Sequence, residues 1–153
     1  MKLADFICFD SVIPQLKSTD RDGAIAELVK ALDEKGHLGK ADCSKIIESV
    51  IQRENEASTG IGKGVAVPHV KHEDIEKILA VVGLSPDGID FSSLDKKPTY
   101  TTILLLSPIS NSDKHLQAME TIFKNLQKDD FRRFLKQAKT VEDIKEAIVD
   151  QDD

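Results

Sequence analysis

The sequence predicts an α/β fold, a three-layer sandwich in which helices flank a central mixed β-sheet on both faces. Short apolar runs at residues 78–85 and 100–107 indicate buried strands. Helical patterns of apolar residues lie both before and after these runs. Because strands that are apolar throughout need cover on both faces, we expect helices on both sides of the sheet. The length suits a single domain over residues 1–153.

Two helices are predicted before the strands. Apolar residues recur at offsets of three, four and seven from Ile25, and the spacing of Thr19 and Asp22 fits a capping box at the start of this helix. A second helical pattern begins at Cys43 and should end at about Arg53. The end of this second helix is therefore expected to deliver the chain to the glycine-rich segment that follows.

Three further helices are predicted after the strands. The first should begin near Ser112 and carries His115 in line with an apolar stripe. A short helix is expected around Phe131. The spacing of Thr140 and Asp143 predicts a capping box at the start of the last helix.

The charge balance and the cysteines limit the classes of protein. The chain carries 27 acidic and 21 basic residues, a net charge of −6. This balance argues against a nucleic-acid binder that neutralises phosphates over a wide face. No segment approaches the roughly 18 apolar residues needed to span a bilayer, and the two cysteines form no C-x-x-C pair. The first residues have too short an apolar run, and an acid too early, for us to expect a signal peptide. We therefore expect a reduced, cytoplasmic protein that is not an integral membrane protein.

The stretch from residue 59 to residue 70, "TGIGKGVAVPHV", is the first candidate for a functional site. Glycine loops often bind phosphate, because their N–H groups turn easily towards an anion. The order of Lys63 and Gly64 does not fit a Walker loop, however, and the glycine spacing does not fit the dinucleotide motif. What remains is a flexible loop that leads to His69, whose charge changes near neutral pH. On its own, the stretch also fits a glycine turn into a strand with a surface histidine.

A second histidine, His115, is predicted in the first helical turn beyond the second apolar strand. Open α/β sheets tend to bind ligands in this region. A helix N-terminus also favours an anion and the neutral form of an imidazole. Taken alone, the position favours a hydrogen-bonded core histidine, because buried polar residues usually find a partner.

Three segments carry a family resemblance: "RENEASTGIGKGVAVPHV", "GIDFSSLDKKPTYTTILLLSP" and "HLQAMETIFKNLQKDDFRRFLKQA". The first contains an A-[hydrophobic]-P-H motif at residues 66–69, preceded by R-E at 53–54 and T-G-I-G at 59–62. In this order and spacing, the segments resemble the fructose, mannitol and nitrogen-regulatory family of type-2 enzyme IIA (EIIA) domains of the bacterial phosphoenolpyruvate-dependent phosphotransferase system. The resemblance covers nearly the whole chain.

The resemblance implies a phosphoryl carrier. The family's active histidine, matched by His69, accepts a phosphoryl group from the phosphocarrier HPr and passes it to a cysteine of an enzyme IIB (EIIB). The residue matched by His115 lines the site and hydrogen-bonds the active imidazole or its phosphate, and Arg53 matches the arginine beside the site. The resemblance also assigns four loop residues to the same pocket: Thr59, Gly60, Ile61 and Gly62.

The implied chemistry requires neither a metal nor a cofactor. A neutral imidazole is a usable nucleophile, and phosphoryl transfer depends mainly on positioning and on donors around the phosphate oxygens. His69, His72 and His115 offer three imidazoles, but this spacing is not specific for a metal, and no carboxylate or cysteine obviously completes a site. We therefore predict a site without metal or cofactor.

Two residues depart from the family pattern directly after His69. Members usually have a small residue, often glycine, where this chain has Val70, and often arginine where it has Lys71. If both lie at the rim of the site, they alter which partner protein fits. Alternatively, Val70 continues the apolar run that precedes it and points into the core.

Three functions remain open at the level of sequence. The first is a phosphoryl carrier that passes phosphate to EIIB or uses it as a regulatory signal, as nitrogen-type members do. The second is a sugar-specific EIIA subunit of a fructose- or mannitol-type transport system. The third is a regulatory binding module that is not phosphorylated, which the presence of Arg53, His69 and His115 disfavours.

Overall fold

The computed structural model describes residues 1–151, so the last two residues of the predicted domain lie outside the described range. Two short 3₁₀ turns, Leu3–Asp5 and Phe9–Ser11, precede the main elements. The α-helices are α1 (Arg21–Glu34), α2 (Cys43–Glu56), α3 (Ser112–Leu126), α4 (Asp129–Gln137) and α5 (Val141–Gln151). The strands are β1 (Gly60–Gly62), β2 (Val65–Ala66), β3 (His69–His72), β4 (Leu79–Ile89) and β5 (Thr99–Pro108).

The sheet is mixed, as predicted, and β5 is its central strand. On one side β5 pairs antiparallel with β4, and on the other it pairs parallel with β2 and then with β3. The peptide carbonyl of Pro68 continues the ladder between β2 and β3 by accepting a hydrogen bond from the N–H of Leu105 at 3.0 Å. His69 is thereby paired with Leu105, in the second half of β5.

Helices cover both faces of this sheet. Every residue from 79 to 85 of β4 is buried. Because successive side chains of a strand point to opposite faces, this burial requires cover on both. Helix α1 packs on β4, α2 packs on β3, and α3 and α4 pack on β5. The predicted sandwich is therefore confirmed. Within residues 1–151, no helix is both long enough and apolar enough to cross a membrane.

The helix boundaries confirm the predicted patterns with two corrections. The cap of α1 is Asp20, whose carboxylate accepts the N–H of Gly23 at 2.7 Å, and not Thr19 as the capping-box spacing suggested. Asp20 is favoured because its extended backbone places the carboxylate over the first turn. Helix α2 continues to Glu56, three residues beyond the predicted end. The capping box of α5 is present, with the N–H of Asp143 donating to Thr140 Oγ1 at 3.0 Å.

The glycine-rich stretch forms a tight hairpin, so the prediction of a flexible loop is wrong for residues 60–64, and the alternative of a glycine turn into a strand is confirmed. Strands β1 and β2 pair antiparallel and are joined by a two-residue turn at Lys63 and Gly64. Both turn residues have positive φ, 58° and 79°. Such a conformation matches the twist of paired strands, and a glycine adopts it without steric cost.

Candidate functional site

His69 opens β3 with one ring nitrogen already engaged. Its Nδ1 lies 2.8 Å from the carbonyl oxygen of Val67, two residues earlier. A carbonyl can only accept, so Nδ1 carries the proton and donates it. In the neutral ring, the lone pair is therefore on Nε2. Residues 67–69 thus select the tautomer in which Nε2 is the nucleophilic atom.

The surroundings of His69 keep its ring neutral. Burial lowers the pKa of His69 below its ordinary value, and the positive charges of Arg53 and Lys71 lower it further. The hydrogen bond to Val67 and the negative charge of Glu54 act in the opposite direction without reversing the shift. At neutral pH the imidazole is therefore available as a nucleophile.

His115 faces His69 from the first turn of α3. The two ring centroids are 5.7 Å apart, and the ring planes are tilted by 45°. Nδ1 of His115 lies 2.7 Å from the hydroxyl of Ser107, a fully buried residue of β5. Burial lowers the pKa of His115 to about 4, with further contributions from nearby His69 and Lys71. The site therefore holds two adjacent neutral imidazoles.

The end of α2 is tied to the histidines through Glu54. This buried carboxylate accepts the backbone N–H of Thr59 at 2.6 Å and its hydroxyl at 2.7 Å. The carbonyl of Thr59 in turn accepts the N–H of Val67, the residue whose carbonyl orients His69. Arg53, the preceding residue, donates to the carbonyl of Ala57 at 3.2 Å. Hydrogen bonds thus run from the helix end to the ring of His69.

The role of Glu54 was missed at the sequence level, although a signal was present. Glu54 follows Val50 by four residues, which places it on the same helical face as the buried residues Ile46 and Val50. An acid on the buried face of an amphipathic helix requires a partner. Here the partner is Thr59.

Residues 59–62, which the family resemblance assigns to the pocket, lie at different distances from His69. Thr59 is buried beside Glu54, whereas Gly60 pairs with Ala66 and Gly62 with Val65. Val65 precedes His69 by four residues, or about 13 Å at the rise of a strand. Ile61 lies between the two glycines and is partly exposed. The structure therefore links Thr59 to Val67, two residues before His69, whereas it pairs Gly62 with Val65, four residues before His69.

Val70 and Lys71 follow His69 on alternating sides of β3. Side chains of successive strand residues point to opposite faces, so Lys71 shares the face of His69 and Val70 does not. Val70 is half-buried and packs against the hydrophobic core, whereas Lys71 is exposed. This placement favours the packing role for Val70 over a role at the rim.

Because the pKa of His115 is lower in the folded protein than in the unfolded chain, we expect the free energy of unfolding to fall in acid. In the unfolded chain His115 should titrate near its ordinary value of 6.5, whereas in the folded protein its pKa is about 4. As the pH falls through this window, the unfolded state binds a proton that the folded state does not, so the free energy of unfolding decreases. We expect the urea midpoint to drop less between pH 7 and pH 5 in His115→Gln than in the wild type. The loss should be reduced and not abolished, because the pKa of His69 is lowered too. Equal drops in both proteins would contradict the assignment.

The fold and the site together define an α/β domain that holds a half-buried neutral histidine beside a second histidine at the start of a helix. Residues 6–151 match the family described as "Phosphoenolpyruvate-dependent sugar phosphotransferase system, EIIA 2". The chain therefore belongs to this EIIA type-2 family, whose domains are phosphoryl carriers.

Relatives of both the sugar and the nitrogen branch are similar to the chain. It is 29% identical over 150 residues to the fructose-specific EIIABC component of Bacillus subtilis, covering 98% of this chain but 23% of that protein. It is 30% identical over 133 residues to the fructose-specific EIIA component of Haloferax volcanii, covering 85% of each. It is 31% identical over 145 residues to a nitrogen regulatory protein of Bradyrhizobium diazoefficiens, covering 94% and 92%.

Solved structures share the fold. The nitrogen regulatory protein IIA-Ntr from Neisseria meningitidis superposes with a TM-score of 0.86 at 18% identity, covering 95% of this chain and 98% of that one. The mannitol enzyme IIA of Escherichia coli, solved in complex with phosphorylated enzyme IIB, superposes with a TM-score of 0.77 at 17% identity, covering 92% and 95%. These likenesses confirm the α/β sandwich.

Proposed function

We propose that His69 is the phosphorylated residue of this chain, accepting a phosphoryl group on Nε2 from HPr. The observation that carries the proposal is the hydrogen bond from His69 Nδ1 to the carbonyl of Val67, which leaves the lone pair of a neutral ring on Nε2. In the transfer, a bond forms between phosphorus and Nε2 while the bond between phosphorus and the donor histidine breaks. The proton on Nδ1 stays where it is.

Three neighbouring groups are proposed to stabilise the transferred phosphoryl group. If the hydroxyl of Ser107 donates to His115 Nδ1, the proton of His115 is on Nε2 and can be donated to a phosphate oxygen. Arg53 and Lys71 supply positive charge, since both lower the pKa of His69. Donors arranged around developing charge are the main requirement of phosphoryl transfer.

Exposed apolar side chains beside the histidines support docking of a partner protein. Ile109, just past the end of β5, is 56% exposed, and Leu116, next to His115, is 59% exposed. Exposed apolar groups near a polar site are typical of protein–protein contact surfaces. HPr and the acceptor would use this surface in turn, because both must reach His69.

The acceptor is proposed to be EIIB or a regulatory target. EIIB is supported by the Escherichia coli mannitol neighbour, which was solved with phosphorylated enzyme IIB. Sugar-specific and nitrogen-regulatory relatives are similar to the chain at nearly equal identity, 30% and 31%, so the proposal is confined to the carrier step common to both branches. With HPr as donor, this step takes place in the cytoplasm.

The test is to identify the phosphorylated atom. Incubation with phosphoenolpyruvate, enzyme I and HPr should add one acid-labile phosphate, and ¹⁵N NMR of the labelled imidazole should assign it to Nε2. Attachment at Nδ1 would contradict the mechanism, because that nitrogen donates to Val67 in the resting site. No incorporation at all would contradict the function.

Replacing Val70 with glycine tests whether this residue packs or selects partners. Because Val70 is half-buried against the core, we expect Val70→Gly to lower the free energy of unfolding by about 1–2 kcal/mol. Transfer rates from native and from foreign HPr should then change by the same factor. Lys71→Ala, on the exposed side of the same strand, is the control and should change stability by less than about 0.5 kcal/mol. A selective gain with foreign HPr at unchanged stability would instead place Val70 at the rim.

A further inference from the structure

A second cleft lies at the other end of β5 from the histidines. It has a volume of about 550 Å³ and is lined in part by Tyr100 and Thr101, at the start of the strand. Thr101 pairs with Val65, whereas His69 pairs with Leu105, four residues or about 13 Å further along the sheet. The cleft is thus separate from the proposed phosphorylation site and has the size of a small-molecule pocket.

Basic side chains from three segments converge on this cleft. They are Lys63 of the β1–β2 turn, Lys97 of the loop before β5, and Arg132, Arg133 and Lys136 of α4. Among residues 1–151, two acidic residues, Asp95 and Asp129, share the lining. The local excess of positive charge is opposite in sign to the net charge of −6 of the whole chain. Within residues 1–151, the three lysines form no salt bridge.

Both acidic residues of the cleft already have partners within the protein. Asp95 accepts the backbone N–H groups of Lys97 and Lys63, each at 3.0 Å, and these bonds keep the pKa of Asp95 below its ordinary value. This carboxylate therefore ties the β1–β2 turn to the loop before β5. Asp129 forms an ion pair with Arg132.

Of the two arginines in the cleft, Arg132 is held in place by the protein itself. The side chain of Arg132 is only 15% exposed and also donates to the carbonyl of Leu126. Arg133 forms an ion pair with Asp130 in which both side chains are exposed, so the pair holds Arg133 only weakly. Because the position of Arg132 is fixed in advance, this side chain loses less entropy when an anion binds.

Tyr100 positions the ammonium group of Lys136. The ammonium of Lys136 lies 4.1 Å from the centroid of the Tyr100 ring. The ring packs closely against Gly64 and Gly88, where added Cβ atoms would lie 3.2 Å and 3.1 Å from it. The ring is therefore fixed, and it orients Lys136 through a cation–π contact.

We propose that this cleft binds a small anion carrying two phosphoryl groups, a diphosphate or bisphosphate. Arg132 and Arg133 each keep N–H groups beyond those used in their ion pairs, and such groups suit phosphate oxygens. Three ammonium groups supply further charge. A nucleic acid fits less well, because its backbone extends beyond the cleft onto a surface whose net charge is negative. The proposal does not depend on the phosphorylation of His69.

The proposal is tested with pyrophosphate as the probe and the full chain as the protein. Titration calorimetry at an ionic strength of about 0.15 M should show saturable binding of one pyrophosphate, tighter than that of citrate or orthophosphate. The double variant Lys97→Gln/Lys136→Gln should bind about tenfold more weakly or worse. The matched control is Lys17→Gln/Lys30→Gln, which removes the same charge from a groove along α1 and should leave the affinity within about twofold.

Several outcomes would overturn the proposal. Equal weakening in both double variants would mean that net charge alone attracts the probe. Citrate binding as tightly as pyrophosphate would contradict the preference for phosphoryl groups, and no saturation at about 1 mM would contradict the site itself. In the wild-type protein, pyrophosphate should shift the backbone amide signals of Lys63, Lys97 and Thr101. Shifts confined to other residues would also refute the site, even if a variant failed to fold.

Discussion

Replacing His69 with alanine is expected to abolish phosphorylation of the chain by phosphoenolpyruvate, enzyme I and HPr. The imidazole of His69 is the proposed nucleophile, with Nδ1 donating to Val67 and Nε2 free to form the bond to phosphorus. Alanine offers no nucleophilic atom, so the phosphate should be lost completely and not merely added more slowly. Intact-mass spectrometry should show one added phosphate on the wild type and none on His69→Ala.

A histidine in the same strand provides the control for this experiment. His72 lies three residues beyond His69 in β3, and its Nδ1 accepts the N–H of Asp74 at 3.0 Å. His72→Ala should still take up one phosphate, while His69→Ala should be folded by circular dichroism. A phosphate that persists on folded His69→Ala would refute the assignment of the nucleophile.

Replacing His115 with alanine is expected to slow phosphoryl transfer by about 10²-fold. The ring of His115 lies 5.7 Å from that of His69 and can supply a donor to the phosphate oxygens. Without it, negative charge that develops on those oxygens loses a preorganised partner. Single-turnover transfer from phosphorylated HPr, followed by rapid quench, measures the effect. The amount of phosphate finally bound should be unchanged, because the nucleophile remains.

Replacing Ser107 with alanine should give a smaller effect on the transfer rate than replacing His115. Its hydroxyl contacts His115 Nδ1 at 2.7 Å, so Ser107→Ala leaves the ring in place but no longer selects its tautomer. We expect a slowing of about tenfold, between those of the wild type and His115→Ala. In His115→Ala the buried hydroxyl of Ser107 loses its partner, which should lower stability by about 1–3 kcal/mol. Wild-type rates in both variants would mean that these two residues only pack.

Much of the fold could be predicted because its signals are local. The apolar periodicity from Ile25 to Leu32 defines the buried face of α1, and the structure buries those residues. The two apolar runs became β4 and β5, and α3 begins at Ser112 as its turn residues indicated. A glycine turn into a strand was one of two interpretations of residues 59–70, but the pairing of β1 with β2 was not predicted, because it depends on β5 continuing the sheet beside β2.

The chemistry of the candidate site was only partly visible in the sequence. The motif that ends at His69 and the second histidine at His115 both stand out as patterns. The carbonyl of Val67 and the hydroxyl of Ser107 do not stand out in the sequence, although they are the hydrogen-bond partners of the two rings. A backbone carbonyl is present at every residue, and only the path of the chain decides which one meets a ring nitrogen.

The sequence by itself determined the fold class, the family and the identity of the two histidines, because residue type and spacing express these properties directly. The tertiary structure alone decided which nitrogen of His69 is free, that Val70 packs against the core, and that basic residues from three segments meet around Tyr100. The physical reason is that the path of the backbone decides which carbonyl meets a ring nitrogen, while burial and the pKa values of buried groups depend on atoms that are distant in sequence. Their positions follow only once the sheet has brought those segments together.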